Sequence, residues 1–578
     1  MVTKDTLVSI ANKTCTILLA LLLFLGLVWG YIAGFQLLHG RKTTLLGIYG
    51  SLIISHFFFQ TMFALFERNK MKNDIPQCCS AKSVAITISA YQEDPFYLQQ
   101  CLKCVKKIAY PIQNLKIIMV IDGNSIEDQY MMDIFKEIFY MEDIGTYVWQ
   151  GNYHSRNFDR SIWNKEEDNS QTSQRDPVNL FYGEASVGNP ERLEVESLIR
   201  TKRCVCIMQK RGGKREVLYT AFKAIADTVD YIQVCDSDTS LDSQATAELV
   251  KVLDSNESYG AVGGEVRILN ATDSFVSFIR SLHYWTVFNL GRACQSYFNC
   301  VSCISGPLGM YRNNLVQQLL EPWYNQRFLG VRCTFGDDRH LTNRVLSLGY
   351  STKYTSKAWC YTETPVPYLH WLNQQIRSTK SSIINWFFSS LFWYKHRLWM
   401  TYEAMIMALL PFYISLTTIK LFYYGCLWNI LWMFLCFHGF AIIRAIIASY
   451  IKGSPVMIYL SLLPFFYMSG LLPIKCFSLL TITNTSWGTS GYKEGVKNYI
   501  PLFPVFVWGI ILCVGLVRTI ITESEGKWSH LEQGSEQYYV LYSSLTLFLF
   551  YTVLIAIYHL WSCHRYRRNA LKTYCVEV

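Results

Sequence analysis

Carboxylates recur in four short motifs of the chain: Tyr91-Gln92-Glu93-Asp94, Asp122-Gly123-Asn124, Asp236-Ser237-Asp238 and Gly336-Asp337-Asp338. The first three each follow an apolar run, VAITISA, KIIMVI and YIQVC, and all four read as strand ends at one edge of a sheet, the fourth also opening a helix. A lone aspartate after such a run is ordinarily a cap or a solvated turn. Acids that converge repel one another, and they persist where a divalent cation or a polar ligand compensates. Two acids spaced D-x-D can set one carboxylate on a ribose and the other on a metal, and such oxygen donors suit Mn2+ or Mg2+ carrying phosphate oxygens. Lys214 and Arg215, in RGGKRE at a helix start, add positive charge and N–H donors for an anion. The combination points to a nucleotide diphosphate held with a hard metal.

Asp338 fits a general base. A sugar hydroxyl attacking an anomeric carbon must lose its proton, and a carboxylate within hydrogen-bond reach accepts it. Asp337 and Asp338 also suit the first turn of a helix, where the dipole favours an acid. One caps while the other reacts.

The motifs need a scaffold that brings them to one place. Short apolar runs alternate with helical patterns from Ser83 onward: VAITISA, then a helix over DPFYLQQCLKCVKKI, then KIIMVIDG and a helix near Met131–Tyr140. RCVCIMQ and YIQVCDSD are further strands, each followed by a helix. This alternation predicts an α/β domain, a mostly parallel sheet with helices on both faces, whose ligands bind at the carboxyl ends of the strands. Glu142–Thr201, rich in charged residues, Asn, Ser and Gln, reads as a long surface insertion or a disordered loop.

That domain interrupts a membrane protein. Cys15–Phe35 and Thr44–Phe66 are free of Asp, Glu, Lys and Arg and long enough to cross a bilayer, which takes about 20 residues of helix. Further apolar runs cover Ala404–Leu421, Cys426–Ile443, Val456–Ile482, Ile500–Ile521 and Tyr538–Trp561. Cys15–Phe35 is too long for a signal peptide and lacks a cleavage site, so it reads as a retained helix. The basic groups Arg68, Lys70 and Lys72, and Arg565, Arg567, Arg568 and Lys572 near the end, place both flanks and both termini in the cytosol. Parity then requires Val456–Ile482, with Pro464, Pro473 and Lys475, to be a re-entrant or interface-lying pair of short helices, as tolerated along a wet path. The 19 cysteines include two CxxC pairs, Cys101–Cys104 and Cys300–Cys303, which fit free thiols in a reducing cytosol better than a zinc site. The net charge of +10 follows the basic flanks, and no nucleic-acid module is present in the pattern.

DSD, SGPLGMYR, GDDRHLTNR, the Gln–x–x–Arg of QQIRS and WGTSG occur in this order. In these motifs the chain closely resembles the vertebrate hyaluronan synthases, membrane glycosyltransferases of family 2 with a GT-A catalytic domain. The resemblance covers the full length and implies four parts: two N-terminal helices (1–70), a cytosolic GT-A domain (71–370), the Gln–x–x–Arg segment with interface helices (371–400), and a channel region (401–578) with a gating loop at 487–493. It implies one plasma-membrane enzyme that uses UDP-GlcNAc and UDP-glucuronate alternately and extrudes nascent hyaluronan across the lipid, alone or assembled with itself or related synthases. By the same resemblance, Tyr91, Glu93, Asp122 and Asp236 hold uridine and ribose, Lys214 and Arg215 help hold the donor, and Asp238 binds Mn2+ or Mg2+. Asp338, beside Asp337, is the base; Gln374 and Arg377 meet the pyrophosphate; Trp487 and Thr489 belong to the loop closing over the nucleotide.

Three positions depart from the family pattern. Ser378 stands where the family has a tryptophan supporting the acceptor sugar at the channel mouth. Arg211 replaces a tryptophan, and Tyr492 replaces an arginine after WGTSG. Two readings stay open: a processive synthase, or a relative that hydrolyses UDP-sugars, makes short oligomers, or partners an active synthase.

Overall fold

The computed structural model describes residues 4–40, 45–73, 82–155, 190–484 and 499–525, with 542, 543 and 546. The chain divides into two units. The first comprises Met1–Leu23, Phe58–Ala408 and Phe477–Tyr499; the second comprises Phe24–Phe57, Leu409–Cys476 and Ile500–Val578.

The strands of the first unit are β1 (Val84–Ala90), β2 (Leu115–Asp122), β3 (Ile144–Val148), β4 (Cys204–Gln209), β5 (Tyr231–Asp236), β6 (Ser240–Leu241), β7 (Tyr259–Ile268), β8 (Gly309–Arg312), β9 (Arg327–Phe328), β10 (Val331–Arg332) and β11 (Ser351–Thr362). Nine of them form one sheet in the order β3-β4-β2-β1-β5-β8-β7-β11-β6, while β9 and β10 make a separate antiparallel ribbon. Strands β3, β4, β2, β1 and β5 pair in parallel. β8 runs against both β5 and β7, and β6 against β11. The runs read as strands are those buried on both faces; all six residues of β4 are buried, as a covered parallel strand requires. The helix Pro95–Lys106 returns the chain from β1 to β2. Pro95 occupies its first turn and Asp94 Oδ1 caps it, accepting the Phe96 N–H at 2.8 Å, so this acid closes a helix end.

Two local expectations change. Glu142–Thr201 is not only an insertion: it supplies edge strand β3 and the helix Pro190–Thr201, whose Val195 and Ile199 are buried. Gly336-Asp337-Asp338 does not end a strand of the main sheet. It follows the small ribbon and opens the helix Asp337–Ser347 through Gly336, which is left-handed at φ +76°.

Among the described residues five helices are long and apolar enough to cross a membrane: Val8–Ile32, Leu398–Tyr424, Leu427–Lys452, Pro455–Leu480 and Leu502–Glu525. Thr44–Phe66 falls on the helix Leu45–Asn73, and Tyr538–Trp561 lies almost wholly outside the described residues. Pro455–Leu480 is one continuous helical run, not a pair of short helices split by a turn. Its winding changes instead: 3-10 over Pro455–Leu462, α over Leu463–Phe466, π over Tyr467–Leu471, then α again over Leu472–Leu480. Pro464 and Pro473 each sit in the first turn of an α segment, where a missing N–H is tolerated. Within the second unit the Trp508 indole N–H donates to the Met468 carbonyl of the π turn at 3.0 Å. Trp508 and Met468 share a buried cluster with Ile414, Leu421, Phe422, Ile430, Met433 and Leu472.

Candidate active site

β2, β1 and β5 lie side by side in register, Ala90 opposite Ile121 and Ser89 opposite Asp236, so the motifs that follow them share one edge of the sheet. Gln92 turns the chain after β1 with a left-handed φ of +44°, unusual for a non-glycine residue and held by its surroundings. Glu93 Oε2 accepts the Ser237 hydroxyl at 2.7 Å, Oε1 accepts the Asp94 N–H at 3.2 Å, and the Glu93 carbonyl accepts the Tyr130 hydroxyl at 2.5 Å. Burial, with Asp236 adding to it, raises the Glu93 pKa. Burial first, then the charges of Asp236 and Glu93, push Asp238 up to about 7, although the Thr362 hydroxyl donates to it at 3.2 Å.

Lys214 offsets only part of this cluster of hard oxygen donors, which fits a divalent cation. Among the described residues no three His, Cys, Asp or Glu side chains form a ready cage. The ion would take Asp238 from the protein and fill its shell with diphosphate oxygens and water, as Mg2+ and Mn2+ commonly do. Glu363 joins the same acid field: burial, then Glu93, push it up to about 7 against a hydrogen bond to Tyr97. The sequence reading missed it because it follows β11, a strand whose polar content hid it.

The RGGKRE turn forms an adjoining wall. Asp122 Oδ1 accepts the N–H groups of Gly212 at 2.8 Å and Gly213 at 3.1 Å, and Oδ2 also meets Gly213 N–H at 3.1 Å. Those donors are held by Asp122, which thereby fixes the turn. Burial nevertheless raises its pKa. Both glycines are required: Gly213 has φ +89°, and a Cβ on Gly212 would lie 2.6 Å from Glu216 Cγ. The Arg211 guanidinium lies 4.5 Å from the centre of the Tyr91 ring, a cation–π pair in place of an aromatic contact. Lys214 Nζ sits 2.5 Å from Asp236 Oδ1, with Gly306 of SGPLG against both groups, and within electrostatic reach of Asp337 and Asp338.

Arg215 does not face the donor cleft. It is 5% exposed and committed to Asp337 Oδ1 at 2.6 Å, His340 Nδ1 at 2.8 Å and the Trp323 carbonyl at 3.3 Å. Asp337, 8% exposed, is thus the partner of a buried ion pair, which places it behind the reacting face and corrects its assignment beside the base. The pattern of residues could not separate Asp337 from Asp338.

Asp338 is half-buried. Its Oδ1 accepts the Arg339 N–H at 2.8 Å, the Cys303 thiol donates to Oδ2 at 3.4 Å, and the Thr342 hydroxyl donates to its carbonyl at 2.7 Å. Cys303, one half of a CxxC pair, therefore meets the acid. The helix Tyr368–Ser390 presses on this loop: a Cβ on Gly336 would fall 1.8 Å from Ser381 Oγ, and Ile384 packs with Cys333 and Phe335. On that helix Gln374 and Arg377, three apart, share a face. Gln374 Oε1 is buried with no hydrogen-bond partner among the described residues. Arg377 has no hydrogen bond or ion pair there either; burial lowers its pKa, with Asp337 opposing. Ser378 Oγ meets Arg339 Nη2 at 3.5 Å. Trp487, Thr489 and Tyr492 lie outside the described residues.

A strand-edge acid field beside a helix-borne acid defines a GT-A-type glycosyltransferase domain. The family described as "Glycosyltransferase like family 2" matches residues 186–379. Hyaluronan synthase 1 of Xenopus laevis is 50% identical over 92% of this chain and 88% of its own length. Hyaluronan synthase 2 of Homo sapiens is 46% identical over 94% of each chain. The chain belongs to the hyaluronan synthase family.

Proposed function

We propose that this protein polymerises hyaluronan, transferring GlcNAc and glucuronate in turn from UDP-sugars and moving the product across the plasma membrane, with the catalytic domain and both termini in the cytosol. The observation that carries this reading is the cluster of Glu93, Asp236 and Asp238, with Lys214 within electrostatic reach of both Asp236 and Asp338, in a chain related to hyaluronan synthases over nearly its full length. Tyr91, Glu93, Asp122 and Asp236 hold uridine and ribose. Lys214, Arg377 and the Gln374 amide N–H2 meet the diphosphate, whose oxygens accept from the guanidinium that has no other partner among the described residues. A divalent cation on Asp238, Mn2+ or Mg2+, neutralises charge on the diphosphate when bound.

Asp338 accepts the proton of the acceptor hydroxyl as that oxygen bonds to the anomeric carbon and the bond from that carbon to UDP breaks. The bonds to Asp338 from the Arg339 N–H and the Cys303 thiol hold the carboxylate in one orientation for that transfer.

Purified protein in lipid, given both UDP-sugars and Mn2+, is expected to release UDP and form hyaluronidase-sensitive polymer. Asp338→Asn should lower turnover about a hundredfold to ten-thousandfold while UDP still binds. UDP release without polymer would instead select the impaired reading, which the short Ser378 side chain favours, and loss of UDP binding in Asp338→Asn would remove that residue's assignment.

A further inference from the structure

Arg339 is the next residue after Asp338 and is not used in the steps above. It is half-buried in the first turn of the helix Asp337–Ser347. Among the described residues its guanidinium makes one side-chain hydrogen bond, to Ser378 Oγ, at a long 3.5 Å. Among the described residues it takes part in no ion pair, and the neighbouring Asp337 is already paired with Arg215. The half-buried guanidinium carries a full charge and five donors arranged as a planar fork, most of them without a protein acceptor among the described residues. The fork matches a carboxylate in two-point geometry, which an ammonium does not. The Arg339 side chain is not paired with Asp338, whose Oδ1 accepts the Arg339 backbone N–H and whose Oδ2 accepts the Cys303 thiol. The guanidinium reaches Ser378 Oγ on the helix Tyr368–Ser390, and it belongs to the residue next to the proposed base Asp338.

We propose that Arg339 binds the carboxylate of a uronic acid at the acceptor terminus, so that this residue distinguishes the two acceptor ends that alternate during synthesis. The inference rests on the synthase reading, in which every second sugar of the chain carries a carboxylate. When glucuronate ends the chain, Arg339 pairs with it while GlcNAc is added. When GlcNAc ends the chain, Arg339 has no charged partner, and the acceptor is held by other groups. Arg339 is a specificity-determining residue here, and Asp338 remains the base for both transfers.

The test uses the full chain in lipid nanodiscs with one donor at a time. UDP-GlcNAc is offered with an oligosaccharide ending in glucuronate, and UDP-glucuronate with one ending in GlcNAc. Arg339→Gln should raise KM for the glucuronate-ended acceptor by about tenfold to a hundredfold, the range that a charged hydrogen bond carries. The neutral-ended acceptor should change less than about twofold, since it lacks that bond. Arg339→Lys should recover part of the loss by keeping the charge without the fork. Equal effects on both acceptors, or none on either, would overturn the role of Arg339 while leaving the synthase reading intact. A wild-type protein that transfers neither sugar would overturn both.

Discussion

Arg215 and His340 show how side chains beside a base can serve the fold. Arg215 and Asp337 are buried together, so removing one leaves the other as an uncompensated charge, at a cost of about 3–5 kcal/mol. Arg215→Gln should therefore lower the thermal midpoint sharply, and Arg215→Gln with Asp337→Asn should recover most of it; a double variant as unstable as the single would argue against the pair. His340 completes this cluster. Arg215 donates to its Nδ1, so the ring is the neutral tautomer with hydrogen on Nε2. Burial first, then the Arg215 charge, bring its pKa down to about 3. The unfolded chain binds a proton at this ring below pH ~6.5, whereas the folded chain does not until far lower pH. The resulting stability is fully present above that value and is lost as pH falls toward about 3. Thermal midpoints of the wild type should fall more steeply than those of His340→Asn on acidification from about pH 6.5 to about 4.5. Parallel slopes would assign the acid sensitivity to other groups.

At the scale of elements, the strands legible in the sequence were those with unbroken apolar runs: β1, β2, β4 and β5. β3 was hidden because a five-residue edge strand needs only one buried face, and it sits among charged residues. β11 was hidden by its lysines, threonines and serines, and with it Glu363. The carboxyl-end motifs could be placed because parallel strands align their ends. The pairing of Arg215 with Asp337, and of Cys303 with Asp338, depends on tertiary contacts between segments with no sequence period in common. The helix pair Asp337–Ser347 and Tyr368–Ser390 gives a direct test of close packing. Gly336→Ala places a methyl group against Ser381 Oγ at a left-handed position, which costs about 1–2 kcal/mol from the backbone alone. Activity and stability should both drop, and Ser381→Gly added to it should restore the part due to the clash. No recovery would mean that backbone strain alone sets the loss.

For the whole molecule, binding a nucleotide with its metal should be visible as stability. With UDP and Mn2+ at about a hundred times the dissociation constant, the unit that binds them gains about 2.7 kcal/mol. The thermal midpoint should rise on addition and fall back with EDTA, and Asp238→Asn should lose the Mn2+-dependent part while keeping most of the response to UDP alone. An equal Mn2+ response in Asp238→Asn would place the ion elsewhere. Within the first unit Glu67 is buried and accepts Lys353 Nζ at 2.7 Å and the Ser296 hydroxyl at 2.7 Å. Lys353 lies on β11, and 286 positions separate it from Glu67. At roughly 5–20 residues per second, the ribosome needs on the order of 15–60 s to travel from one to the other. Throughout that interval the early helix carries a carboxylate whose cation has not been made. The contact therefore closes only after almost the entire sheet exists, and a nascent chain that stops before β11 leaves Glu67 without the cation that meets it in the folded unit.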